Sequence, residues 1–85
     1  MRLVNIGFGN LISFERIISI VSPDSAPVKR LVQDARERGE LVDASFGRST
    51  KSVIVMDSSH VVLSALSPDI ILSRVNDGSD RKEET

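Results

Sequence analysis

Gly47-Arg48-Ser49-Thr50-Lys51 puts two cations and two hydroxyls into five residues, between two segments that read as strands. That combination suits a phosphate group. Guanidinium and ammonium supply charge, the hydroxyls supply hydrogen bonds, and glycine permits close backbone approach. The segment is not a P-loop, because the glycine spacing is wrong and no helix follows. Gly7-Phe8-Gly9 likewise does not continue into a dinucleotide fingerprint, and reads as a turn whose Phe8 packs into the core or an interface. A second cationic pair, Lys29-Arg30, lies early in a helical pattern, where the macrodipole disfavours each cation by roughly 0.3–1 kcal/mol. An anion docked at that helix start would reverse the sign, while a solvated polar face also accounts for the pair.

Little else in the chain could carry out chemistry. The single histidine, His60, follows Asp57-Ser58-Ser59. Triad members adjacent in one turn cannot line up around a substrate, so this group reads as a surface hairpin. With no cysteine, one histidine and no carboxylates at ligand spacing, neither a metal site nor a cofactor is expected. The chain is read as a non-enzyme without a small-molecule substrate.

The elements that must position the cationic loop follow from apolar periodicity. Leu3, Val4 and Ile6 form a short strand, Gly7-Phe8-Gly9-Asn10 a tight turn, and Leu11-Ile12 its return. Ile17-Ile18-Ser19-Ile20-Val21 has the density of a strand covered on both faces. Ser22-Pro23-Asp24 breaks it. Ser25 or Asp24 then caps a helix with Pro27 in its first turn; Val28, Leu31, Val32 and Ala35 share one face, and Gly39 stops it. Asp34 stands four residues before Arg38, which predicts an ion pair along the helix. Leu41 to Phe46 alternates as a strand. Ser52–Met56 and His60–Leu66 read as a hairpin around Asp57-Ser58-Ser59. Ser67-Pro68-Asp69 opens a last short helix through Ile70, Ile71, Arg74 and Val75. Residues 76–85 read as a disordered acidic tail, and no internal repeat is read. The expected fold is α+β: a small antiparallel sheet, one main amphipathic helix and a short C-terminal helix, in a single domain over residues 1–75.

Composition limits what such a chain does alone. At 85 residues and 40% apolar, without tryptophan or tyrosine, a subunit buries only about 60% of its unfolded surface, so self-association is expected. There is no apolar run long enough to span a bilayer and no signal-peptide pattern, so a soluble intracellular protein is expected. The net charge is −1, but the last ten residues carry four acids against two bases, leaving +1 on the remainder. Between Arg16 and Lys51, seven bases face five acids. One subunit is too weakly charged to hold nucleic acid, whose affinity scales with the phosphates neutralised; several copies presenting one patch would be needed. Two readings stay open on these grounds: a nucleic-acid-binding oligomer using Arg48, Lys51, Arg16 and Lys29-Arg30, and a structural or protein-interaction module in which these cations are surface charge.

Long ungapped strings shift the balance toward the first reading, with the second kept as the alternative. Asn5-Ile6-Gly7-Phe8-Gly9-Asn10, the run from Ile18 to Arg30, Gln33-Asp34-Ala35-Arg36, Asp43-Ala44-Ser45-Phe46-Gly47-Arg48 and the run from Ile54 to Ser64 resemble the RemA family of bacterial regulators over about residues 3–75. The resemblance implies a cytoplasmic, nucleoid-associated transcriptional activator of biofilm extracellular-matrix genes. It implies binding to double-stranded DNA as a ring-shaped homo-oligomer, and a subunit similar to LytTR-type DNA-binding domains. It carries the family's functional arginine before the Ile-Ser-Ile-Val strand onto Arg16, the helix-start proline onto Pro27, and the arginine loop onto Gly47-Arg48. There the chain departs from the pattern: Ser49 stands where relatives have a second arginine, and Lys51 follows two positions on. Glu15, beside Arg16, is a second departure, placed either to weaken a phosphate contact or to hold the arginine.

Overall fold

Two aliphatic stretches, Ser52–Met56 and Val61–Ser64, occupy the centre of a sheet, and a third, Ile17–Val21, lies at its edge. A computed structural model describes residues 2–78, with backbone only for the last three. In chain order the elements are β1 (Leu3–Asn5), β2 (Leu11–Ser13), a 3₁₀ turn (Phe14–Arg16), β3 (Ile17–Val21), α1 (Ala26–Arg38), β4 (Leu41–Asp43), β5 (Ser52–Met56), β6 (Val61–Ser64) and α2 (Pro68–Gly78). β1 and β2 form a separate hairpin, and the main sheet runs β3-β5-β6-β4. β5 pairs antiparallel with β3 and β6, whereas β4 lies parallel to β6. The sheet is therefore mixed, not the antiparallel one expected, because α1 returns the chain across the sheet before β4 begins.

Side-chain alternation on the two central strands divides the core. Val53, Val61 and Leu63 face α1, where Ala35 is fully buried and Val28, Leu31 and Val32 complete the layer. Ile54 and Val62 face the other way, onto Val4, Ile6, Ala44 and Ile71 from the hairpin, the loop after β4 and α2. Three layers result: α1, the sheet, and the β1–β2 hairpin with α2. Two buried serines join the last two layers. Ser64 Oγ donates to Ile6 O at 2.7 Å and accepts from Leu66 N–H, while Ser52 Oγ donates to Leu66 O.

The helix signals act as expected. Ser25, not Asp24, is the N-cap and accepts from Val28 N–H; Pro27 is the second helical residue, and Gly39 closes the helix at φ +73°. Four expectations change. β3 is an edge strand, not one covered on both faces: its register shifts between Ile17 and Ser19, and Ile18 is 66% exposed. β4 ends at Asp43 rather than running to Phe46, because the Asp43 carboxylate captures Ser45 N–H and turns the chain. Arg38 pairs with Glu40 at 2.8 Å, not with Asp34, and also donates to Ser59 O across the β5–β6 turn. Finally, α2 continues to Gly78, past the expected end at Val75; the rest of the expected tail, residues 79–85, lies outside the described residues.

Candidate functional site

The cationic loop begins with a tight turn. Arg48 N–H donates to Ser45 O, and the two residues between, Phe46 and Gly47, have φ of +57° and +80°. Positive φ at both central positions is the signature of a type I′ turn. Upstream, Asp43 Oδ1 accepts from Ser45 N–H at 2.9 Å and from the Ser45 hydroxyl. The Ser45 hydroxyl, then its N–H, then the Arg36 charge hold the Asp43 carboxyl below the ordinary aspartate range, with burial opposing them.

The same construction occurs a second time. Asn10 N–H donates to Gly7 O, Phe8 and Gly9 between them have φ of +54° and +76°, and Asn5 Oδ1 accepts from Gly7 N–H at 2.8 Å. Leu3-Val4-Asn5-Ile6-Gly7-Phe8-Gly9-Asn10 thus matches Leu41-Val42-Asp43-Ala44-Ser45-Phe46-Gly47-Arg48 in geometry, with Leu, Val, Phe and Gly repeated at equivalent places. This is an internal repeat that the linear reading missed. Ser22-Pro23-Asp24, just ahead of α1, and Ser67-Pro68-Asp69, which opens α2, repeat a further tripeptide. The two turns meet: the Phe8 and Phe46 rings stack with centroids 5.1 Å apart and planes 27° apart.

Beside this aromatic pair lies a cleft of about 600 Å³, lined by Asn5, Gly7, Phe8, Arg48, Ser49, Lys51, Ala65, Leu66 and Arg74. The Arg48 guanidinium sits 5.8 Å from the Phe8 ring centroid. Arg74 reaches over from α2 and donates to Asn5 O at 3.0 Å. None of the lining residues is acidic. The three ion pairs among the described residues are Arg2–Glu15, Arg16–Asp57 and Arg38–Glu40, which leaves Arg48, Lys51 and Arg74 unneutralised there. Three cations and a hydroxyl around one concavity are what a polyanion requires.

The sequence-derived residues fall in three places. Arg48, Ser49 and Lys51 line the cleft. Lys29 lines a second groove, of about 300 Å³, with Pro23, Val32, Arg36, Thr50, Val53 and Leu63, so it approaches the loop from behind. Arg30 and Pro27 are exposed on α1 and line neither. Arg16 stands at the far end of the sheet. It precedes the pair Ile17–Met56, whereas Lys51 precedes Ser52, so the length of β5, about 17 Å, separates them. Asp57 holds Arg16 through contacts of 3.3 and 3.4 Å. Glu15, expected either to weaken a phosphate contact or to hold Arg16, is turned to Arg2 instead. The Arg2 N–H, first of several donors, lowers its carboxyl below the usual glutamate range. Phe8, expected in the core or an interface, is half exposed at the rim of the cleft. His60 is an exposed hairpin residue paired with the Ser58 hydroxyl at 2.7 Å.

Two contributors were missed. Arg74 carries no local signal, since only the packing of α2 on β1 brings it to the loop. Phe46 does carry one, the match between the two Phe-Gly turns. Among the described residues, no group of three or more His, Cys, Asp or Glu is placed to hold a metal, and no helix is long and apolar enough to cross a membrane.

Comparison with known proteins places the chain in a family. The family described as RemA-like, extracellular matrix regulatory protein A-like, matches residues 3–75. Similar proteins, each carrying the name "Putative regulatory protein", include one from Dictyoglomus thermophilum, 55% identical over 85 residues, covering all of this chain and 99% of the relative. One from Geobacillus thermodenitrificans is 55% identical over 84 residues, covering 99% of this chain and 97% of the relative. One from Bacillus pumilus is 58% identical over 76 residues, covering 89% and 85%. On the match across nearly all its described residues, the chain belongs to the RemA-like family of regulatory proteins.

Proposed function

We propose that the protein is a DNA-binding transcriptional regulator, an activator of extracellular-matrix genes of biofilm formation, acting on the nucleoid in the cytoplasm as a ring-shaped homo-oligomer. The observation that carries this reading is the cleft where Arg48, Ser49, Lys51 and Arg74 converge without an acidic neighbour among the residues that line it. A duplex phosphate is the polyanion that fits a regulator. Ser49, in place of a second arginine, donates one hydrogen bond and no charge, so Lys51 and Arg74 supply the charge that a single arginine lacks.

A single copy offers too few cations to bind tightly, and this is where assembly enters. β3 is an open, bulged edge, and Phe14, Ile17, Ile18, Ile20, Pro68 and Leu72 line an apolar groove of about 530 Å³ along it. Copies joined through that edge repeat the cationic loop at a fixed spacing, and each added phosphate contact strengthens the salt-dependent term. Arg16 lies on that same edge, about one strand length from its own loop, where it serves a neighbouring copy's contact. The ring and the LytTR-like subunit remain parts of this proposal.

Titrating the full chain with generic duplex DNA at several salt concentrations tests it. Replacing Arg48 and Lys51 together by alanine should abolish binding and leave the assembled mass unchanged. Binding that persists at low salt in that variant would place the contact elsewhere. No binding by the native protein at low salt would favour a purely structural or protein-interaction oligomer.

A further inference from the structure

Phe46 is placed where the fold has no use for it. The residue is 78% exposed and belongs to neither core cluster. Its φ of +57° is strained for a non-glycine residue, and leaving most of the ring in water forgoes the stabilisation that burial would bring. Phe8 repeats both features, at φ +54° and half exposed, and stacks behind it. Strain and exposure at matched positions of a repeat indicate a surface kept for contact.

The plate is also held firmly. Asn5 and Asp43 lock the two turns from upstream, and Ser64 Oγ ties the first turn to β6 through Ile6 O. Its neighbours identify what it meets. Arg48 flanks the Phe8 ring, and Ser49 and Lys51 follow along the rim. An apolar protein surface covering Phe46 would also desolvate these cations and leave their charge unpaired, which opposes binding. A DNA duplex offers apolar base faces and phosphates within a few ångströms of each other.

We propose that Phe46, backed by Phe8, is an apolar wedge that enters a base step of the bound duplex and partly unstacks it; this rests on the DNA-binding reading above. The cations hold the phosphates on either side of the opened step, and the duplex kinks away from the wedge. The preference that results is for steps that unstack easily, pyrimidine followed by purine, without any base-edge hydrogen bond.

The test uses the full chain in its native assembly with an end-labelled duplex carrying 2-aminopurine beside a central TA step. Native protein should bring the ends together by energy transfer and raise the 2-aminopurine fluorescence. Phe46→Ala should lose both signals while affinity falls about tenfold, the scale of one lost aromatic–base contact. Phe46→Asn should do the same, since asparagine accepts positive φ and keeps the turn. The log–log salt slope should stay unchanged in both, because every phosphate contact remains, and Phe46→Trp should retain the signals. Phe46→Asn protein that bends DNA like the native chain would overturn the wedge and leave DNA binding standing. A change in assembled mass would instead make Phe46 an interface residue and overturn it as well. Absence of duplex binding by the native protein would remove both readings together.

Discussion

Asp43 does not line the cleft, yet the geometry of the loop depends on it. Its carboxylate accepts from both Ser45 donors and so sets the start of the turn that carries Phe46 and Arg48. Because those hydrogen bonds favour the ionised form, the folded-state pKa lies below the unfolded one. The stabilisation is therefore complete above the ordinary aspartate range, near pH 4, and is lost as pH falls through the depressed value. Asp43→Asn keeps the acceptor oxygen and removes the titration. Its urea midpoint should fall less between pH 5 and pH 3 than that of the native chain. Glu15, whose carboxyl is lowered by the Arg2 N–H, adds a dependence of the same sign in both proteins. Equal pH dependence in both proteins would show that the Ser45 contacts do not govern the turn.

Between elements, polar side chains carry the long-range connections, and these were the part hidden from the sequence. α1 was legible because its N-cap, its proline, its apolar stripe and its glycine stop all act within a few residues. β5 and β6 were legible from aliphatic density. The edge position of β3 was not, since five similar residues fit an edge or a centre until the strand order is known. The early end of β4 depended on one Asx contact that alternation does not register. The loop Gly47–Lys51 stands out along the sequence as a cationic segment, but Arg74 comes to it from α2 and Arg16 stands a strand length away, and neither placement shows in spacing along the chain. The repeat stayed hidden because Ile6-Gly7 and Ala44-Ser45 differ between its copies, and because one copy returns directly as β2 while the other enters a loop. Ser64 shows the cost of these connections. It is fully buried, donates to Ile6 O and accepts from Leu66 N–H. Ser64→Ala leaves a buried carbonyl and a part-buried N–H unpaired, and should cost about 2 kcal/mol in chemical denaturation, with a small drop in DNA affinity as Phe8 loses its anchor. A stability change below about 0.5 kcal/mol would mean that neither group depends on Ser64.

For the whole molecule, a chain with a net charge of −1 would hold DNA, as proposed, only through repetition of its cationic loop. The two faces of the sheet are already covered by α1 and by the hairpin with α2, so association is left to the sheet edges. Of these, β3 offers a mainly apolar groove that Glu15 and Asp69 also line, and its bulge at Ile18 turns that side chain outward while interrupting the backbone ladder. Copies would then join by side-chain packing rather than by adding strand to strand, which keeps the assembly finite instead of fibrous. Ile18→Lys tests this without threatening the fold, because Ile18 is exposed and outside both core clusters. Native mass measurement should find the variant mostly monomeric, with an unchanged circular dichroism spectrum. The substitution adds a positive charge, so on charge alone it would strengthen DNA binding. If the grip comes from repeated loops, binding should instead weaken by at least about tenfold and the log–log salt slope should shrink, since fewer phosphates are neutralised per binding event. Tighter binding by a dissociated Ile18→Lys protein would show that the single subunit suffices, and an unchanged mass would move the interface away from β3.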